Sequence, residues 1–75
     1  MINNPKGYRL TGTYRLIGAI GIMENFSHCI FAGSAKRAYD STREELYKTH
    51  DHILVKKIEV YNKKTRKWRE VKINL

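Results

Sequence analysis

The chain has 75 residues, too few to bury a large core, and a net charge of +8 at pH 7 from 15 Lys and Arg against 7 Asp and Glu. Its single cysteine, Cys29, excludes an internal disulfide and is typical of a reducing compartment. The longest apolar run, Leu16 to Met23, is too short to span a bilayer, and the first twelve residues lack the apolar core of a signal peptide. We therefore expect one small cytoplasmic domain, residues 1–75, that does not bind a membrane.

The first third of the chain predicts a flexible arm and two strands. Asn, Pro and Gly residues break regular structure over residues 1–7. Tyr8 to Met23 is rich in Tyr, Thr, Leu and Ile, which favour a strand. Four of its apolar side chains share one parity and are expected to be buried: Tyr14, Leu16, Ile20 and Ile22. Glu24 and Asn25 suit a turn, after which 26–32 is predicted to be an antiparallel second strand.

A helix is predicted over residues 35–49. Ser34 can cap it through its hydroxyl group. Five residues at helical spacing then form one apolar stripe: Ala35, Ala38, Tyr39, Thr42 and Leu46. The alternative is a shorter helix capped by Asp40 or Ser41, where Ser-Thr-Arg-Glu fits a capping box.

The last third predicts a hairpin from 52–62 and 67–75, with a turn within 63–67. In one register Val60 faces Val71 and Ile58 faces Ile73 on the buried side, while Glu59 faces Lys72. The neighbouring register sets Glu59 against Glu70, and like charges directly opposite are unfavourable. We therefore predict the first register. Lys56 falls on the buried parity, so a bulge is expected near Lys56 and Lys57.

The predicted order is strand, strand, helix, strand, strand. This order favours an α+β fold, in which an antiparallel sheet of about four strands carries one helix on one face.

Few residues suggest catalysis or metal binding. A structural zinc site needs four ligands, and the neighbouring side chains of His28 and Cys29 point to opposite faces of a strand. RNA cleavage by His50, Asp51 and His52, with Glu44 or Glu45, would need a nucleophile and a base held together, and no motif provides that arrangement. We predict a protein that is not an enzyme and needs no metal or cofactor.

The predicted contact surface combines eight basic residues with two aromatic rings: Lys56, Lys57, Tyr61, Lys63, Lys64, Arg66, Lys67, Trp68, Arg69 and Lys72. The cations can follow phosphates while Tyr61 and Trp68 stack on exposed bases. An acidic protein groove is the other partner that such charge favours. For Trp68 the alternative is packing against the N-terminal arm.

A longer segment, FSHCIFAGSAKRAYDSTREELYKTHDHILVKKIEVY, combines a strand, a small-residue cap, an Ala-rich helix start and a Val/Ile strand. In AGSAKRA and the ILVKKIEV alternation, this layout resembles small phage-encoded inhibitors of host RNA polymerase and of CRISPR effector complexes. The resemblance implies a non-enzymatic inhibitor, of anti-CRISPR or polymerase-inhibitor type, that docks its basic hairpin on an acidic or nucleic-acid-bound complex. The alternative is a module that binds DNA or RNA directly.

Overall fold

The computed structural model describes residues 5–18 and 21–72. Its elements are β1 (Lys6–Leu16), β2 (Glu24–Ala32), α1 (Ala35–Leu46), β3 (His50–Asn62) and β4 (Lys67–Val71). The strands form one antiparallel sheet in the order β2-β1-β3-β4. The predicted α+β class with ββαββ order is therefore confirmed. Among the described residues, no helix combines the length and the apolar character that crossing a bilayer requires.

The core lies between the helix and one face of the sheet. Strand residues alternate between the two faces, so about every second side chain of a strand lies on the face that carries α1. The buried hydrophobic side chains are Tyr8, Leu10, Phe26, Ala38, Ile58 and Val60. Leu10 is fully buried, and the small side chain of Ala38 is buried beneath the helix. The predicted burial of Ile58 and Val60 is confirmed, whereas Ile73 lies outside the described residues.

The predicted helix cap at Ser34 is confirmed. Its backbone is extended, with φ −156°, and its Oγ accepts a hydrogen bond from the Arg37 amide at 3.2 Å. The alternative start is wrong, because Ser41 lies inside the helix. The helix ends at Leu46, three residues earlier than predicted. There the Thr49 amide donates to the Leu46 carbonyl at 3.1 Å, a tight closing turn that leads directly into β3.

The first strand begins earlier in the chain than predicted, and it also ends earlier, at Leu16. β1 starts at Lys6, inside the segment predicted to be a flexible arm. Glu24 and Asn25, predicted to form the turn, instead open β2. The chain reverses between the two strands, where Gly18 and Gly21 have φ of 91° and 77°. Glycine adopts this left-handed region without steric cost, which explains why the turn lies here.

Leu16 and Ile22 are exposed rather than buried, at 50% and 66%. For Leu16, the last residue of β1, the reason is the difference in length between strand and helix, whereas Ile22 precedes β2 and belongs to no strand. β1 has eleven residues and is about 36 Å long, because a strand rises about 3.3 Å per residue. α1 has twelve residues and is about 18 Å long, at about 1.5 Å per residue. The helix therefore leaves part of the sheet uncovered. Ile20 lies outside the described residues.

The predicted register of the second hairpin is wrong. Ile58 pairs with Val71 and Glu59 with Glu70. The turn sets this register, because the Asn62 side chain accepts hydrogen bonds from the Lys64 and Thr65 amides at 2.9 and 3.4 Å. These bonds stabilise a four-residue loop, 63–66, which connects the paired residues Asn62 and Lys67.

The bulge predicted near Lys56 is confirmed. Thr11 pairs with Lys57 while Gly12 pairs with Val55, so Lys56 is the extra residue of β3. The bulge keeps the exposed Lys56 out of the core and returns Val55 to the face that the helix covers.

Candidate functional site

The face of the sheet opposite the helix carries a row of aromatic side chains. Phe31 pairs with Gly7 across β2 and β1, and Tyr61 pairs with Trp68 across β3 and β4. Because Tyr8 pairs with Val60, Gly7 and Tyr61 are neighbours as well. We call Phe31, Tyr61 and Trp68 the aromatic row. Phe31 is 74% exposed, whereas the other two rings are half-buried.

Gly7 interrupts the aromatic row and leaves a groove in it. A Cβ atom at this position would lie 3.7 Å from Cε1 of Phe31 and 3.8 Å from Cβ of Tyr61. Since glycine has no Cβ, the space between those two side chains stays open. This space is one part of a larger depression of about 840 Å³ at this end of the sheet, which we call the groove. Its lining includes the aromatic row, Cys29, Lys63 and Lys64, and also residues of the helix side such as Tyr8, Ile30, Val60 and Arg69.

One side of Trp68 is occupied by an ion pair. Arg9 of β1 donates from Nε to Oε1 of Glu59 at 3.0 Å, and its Nη2 lies 2.9 Å from the same oxygen. The Arg9 guanidinium carbon also lies 4.4 Å from the Trp68 ring centroid. Tyr61 contacts the same indole, with ring centroids 5.2 Å apart and planes inclined at 58°. Trp68 therefore supports its neighbours, and Phe31 is the ring with the most free surface.

Three cations project from the loop between β3 and β4: Lys63, Lys64 and Arg66, which we call the basic turn. All three are exposed. Within residues 5–18 and 21–72, no carboxylate forms a salt bridge with any of them. Arg66 has a φ of 56°, in the left-handed region where glycine or asparagine is favoured. The basic turn adjoins the aromatic row through Tyr61, two residues before Lys63.

The structure divides the ten predicted contact residues. Tyr61, Trp68, Lys63 and Lys64 line the groove, as does Arg69, whereas Arg66 of the basic turn is not part of its lining. Lys67 and Arg69 pair with Asn62 and Val60, so their side chains lie on the helix side of the sheet. The other three lie away from the groove: Lys56 in the bulge, Lys57 with Nζ 3.6 Å from Glu59 Oε2, and the exposed Lys72 after β4.

Sequence reasoning missed three residues of this site: Phe31, Gly7 and Arg9. A signal for Phe31 was present. Phe26 and Ile30 share one parity of β2 and face the core, so Phe31 has to point outward. The role of Gly7 and Arg9 depends on which strands lie beside β1, which no local pattern encodes.

The histidines of β3 lie at the opposite end of the sheet and do not form a common site. The His50 ring stacks on Tyr14 with centroids 3.8 Å apart. His52 lies 3.0 Å from Asp51, which also accepts hydrogen bonds from Arg15 at 3.0 and 3.2 Å. The bond from Arg15, aided by His52, lowers the pKa of Asp51 to about 2. The described part of the chain contains no group of three His, Cys, Asp or Glu placed to hold a metal ion.

Comparison of the chain with protein-family models, with curated proteins and with solved structures found no match. The resemblance to phage-encoded inhibitors therefore stays a prediction.

Proposed function

We propose that this protein binds nucleic acid through the open face of its sheet. The basic turn contacts phosphates, and the aromatic row contacts bases. The protein acts as a non-enzymatic binding module in the cytoplasm. The observation that carries the proposal is the exposed Phe31, aligned with Tyr61 and Trp68 beside three cations that have no acidic partner among the described residues.

The charge of the basic turn supports a polyanionic partner. Folding gains nothing from neighbouring cations without counter-charges, since their mutual repulsion is slightly unfavourable. Arg66 adds a second unfavourable feature, because a non-glycine residue in the left-handed region costs on the order of 1–3 kcal/mol. A phosphate backbone would neutralise these charges and release counterions, which is the main source of affinity for nucleic acids.

The aromatic row supports contact with bases. Large apolar side chains usually lie in the core, yet Phe31 leaves 74% of its surface in water. Every base presents a flat face that can stack on such a ring. Adjacent strands lie about 4.8 Å apart, so the row from β2 to β4 extends about 14 Å across the sheet. A nucleic-acid strand that crosses the sheet along this row would reach the basic turn.

The inhibitor hypothesis uses the same cations against an acidic groove on a protein. It does not require an exposed Phe31 or an open groove at Gly7, and for that reason we favour nucleic acid.

Fluorescence anisotropy with labelled oligonucleotides over a range of salt concentrations tests the proposal. We compare the parent with a variant in which Lys63, Lys64 and Arg66 are changed to Gln. The matched control carries the same three-charge reduction on α1 and in the turn that follows it: Lys36, Arg37 and Lys48 to Gln. We expect the turn variant to lose affinity by about tenfold or more and to show a shallower salt dependence, because each lost phosphate contact reduces the slope.

The control variant should bind much more tightly than the turn variant. Equal losses in the two variants would mean that only net charge matters, and absence of binding by the parent would overturn the proposal. A pull-down from nuclease-treated lysate then tests the inhibitor hypothesis, since a protein-directed inhibitor keeps its partner after nucleic acid is digested.

A further inference from the structure

The part of the groove above Gly7 has the properties of a binding site for a single base. We infer that one unpaired base inserts between Phe31 and Tyr61 above the Gly7 backbone, so that the ligand is single-stranded RNA or DNA. This inference rests on the proposed function and specifies the form of the nucleic acid.

Folding does not require a glycine at position 7. Gly7 lies inside β1, where glycine weakens a strand. The glycines with positive φ among the described residues are Gly18 and Gly21, so the Gly7 backbone is one that any residue adopts. A Cβ there would make only ordinary contacts, at 3.7 and 3.8 Å. Close approach of a ligand is one role of a glycine within a strand, and it is the role that we assign to Gly7.

The dimensions of the groove suit one flat ring. Cε1 of Phe31 and Cβ of Tyr61 lie 3.7 and 3.8 Å from the position that a Gly7 Cβ would take, so these two atoms are at most about 7.5 Å apart. Carbon atoms in contact lie about 3.5–4 Å apart, so a ring stacked between two others needs about 7–8 Å. A larger residue at position 7 would occupy the floor of this space. Bases in a duplex are already stacked and paired, so only an unpaired base can enter.

The polar groups at the groove can contact a nucleic-acid strand that passes over it. Lys63 and Lys64 line one side and can contact the flanking phosphates. Arg9 is not part of the groove lining, but its contacts with Glu59 and Trp68 hold the indole beside Tyr61. The aromatic walls contact base faces, which every base presents, and we therefore expect little preference among base sequences.

The test fills the space above Gly7 without disturbing the strand. Gly7→Val adds a strand-favouring side chain between Phe31 and Tyr61. We expect its affinity for oligo(dT) and oligo(U) to fall by about tenfold or more, the loss of one stacked base. Affinity for a duplex of the same length, which depends on phosphate contacts, should change much less. Thr11→Val is the matched control, because Thr11 lies on the same strand and face and pairs with Lys57 and Ser27, away from the groove.

A second readout uses the single thiol of the chain. Cys29 is exposed, lies two residues before Phe31 on β2 and lines the groove. Bound oligo(dT) should slow its alkylation by iodoacetamide in the parent, and an equal concentration of duplex should slow it less. Phe31→Ala provides an independent variant, because the ring is too exposed for its loss to prevent folding.

The outcomes separate the two proposals. Unchanged single-strand affinity in both Gly7→Val and Phe31→Ala would overturn the base seat while leaving nucleic-acid binding through the basic turn intact. Equal binding of duplex and single strand by the parent would also overturn it. If the parent binds neither form, the proposed function itself fails. Similar affinities for oligo(dT) and oligo(U) are expected, because stacking faces and phosphates are common to both.

Discussion

Glu59 and Glu70 lie directly opposite each other on β3 and β4. The pairing places two like charges together, an arrangement that normally destabilises a sheet. It is tolerated because Glu59 is bound on its other side by Arg9 of β1, with Nη2 2.9 Å from Oε1. Lys57 adds a second cation 3.6 Å from Oε2. The charge of Glu59 is therefore compensated by Arg9 of a third strand, β1. A prediction that compares only the residues of β3 and β4 does not include this cation.

This compensation predicts a coupling between Arg9 and Glu70. Arg9→Met should destabilise the protein by about 2 kcal/mol, because it removes a hydrogen-bonded cation from a carboxylate that is only 8% exposed. Glu70→Gln should then stabilise the Arg9→Met protein more than it stabilises the parent. Chemical denaturation of the parent, both single variants and the double variant measures the coupling, which we expect to be about 0.5 kcal/mol or more. Additive effects would show that Glu70 does not influence Glu59.

Gly12 should be the least replaceable glycine of β1. It is buried at the register shift, and a Cβ there would overlap the Leu54 carbonyl oxygen. To remove this overlap the backbone of β1 or β3 would have to move, because the overlapping atom does not belong to a flexible side chain. Gly12→Ala is therefore expected to cost about 2 kcal/mol or more in unfolding free energy. Gly7→Ala, on the same strand, is the control and should be neutral or slightly stabilising. Similar effects at both positions would contradict the close approach of β3 to β1.

The hydroxyl of Thr42 should reduce stability. Thr42 of α1 is fully buried, and its Oγ1 has no hydrogen-bond partner among the described residues. A buried polar atom without a partner costs about 1–3 kcal/mol. Thr42→Val keeps the shape and removes the hydroxyl, so the melting temperature should rise. Thr42→Ser keeps the hydroxyl and loses the methyl group, so the melting temperature of this variant should fall. A lower melting temperature for Thr42→Val would show that the hydroxyl is hydrogen-bonded in solution.

Acid should weaken the link between β1 and β3 at the end of the sheet away from the aromatic row. The bond from Arg15, with help from His52, lowers the pKa of Asp51 from its usual 3.8 to about 2. A carboxylate with a lowered pKa contributes stability above its usual pKa and loses that contribution as the pH falls through the lowered value. The Asp51 contribution should therefore disappear between about pH 4 and about pH 2.

Asp51→Asn isolates this effect. The variant should be less stable than the parent at neutral pH and should approach it at about pH 2, where the parent carboxylate is protonated. Chemical denaturation across this pH range is the measurement. Because the pair is partly exposed, added salt should reduce the difference at neutral pH. A difference that stays constant from neutral pH to about pH 2 would contradict the ion pair.

The order of the elements and the helix cap could be predicted from the sequence alone because both depend on neighbours in the chain. Ser34 caps the helix through an amide three residues away, and the stripe that includes Ala38 and Thr42 follows the turn of the helix. The bulge at Lys56 was also predictable, because a lysine at a buried parity must leave the core.

What only the tertiary structure decided is the register of the second hairpin and the arrangement of the site. The register depends on the loop that Asn62 stabilises and on Arg9, which is fifty residues from Glu59 in the chain. The groove depends on Gly7 lying between Phe31 and Tyr61, and these residues meet only because β1 inserts between β2 and β3. Local sequence encodes which face each side chain takes, whereas the neighbours across the sheet are determined by strand order and by contacts between distant charges.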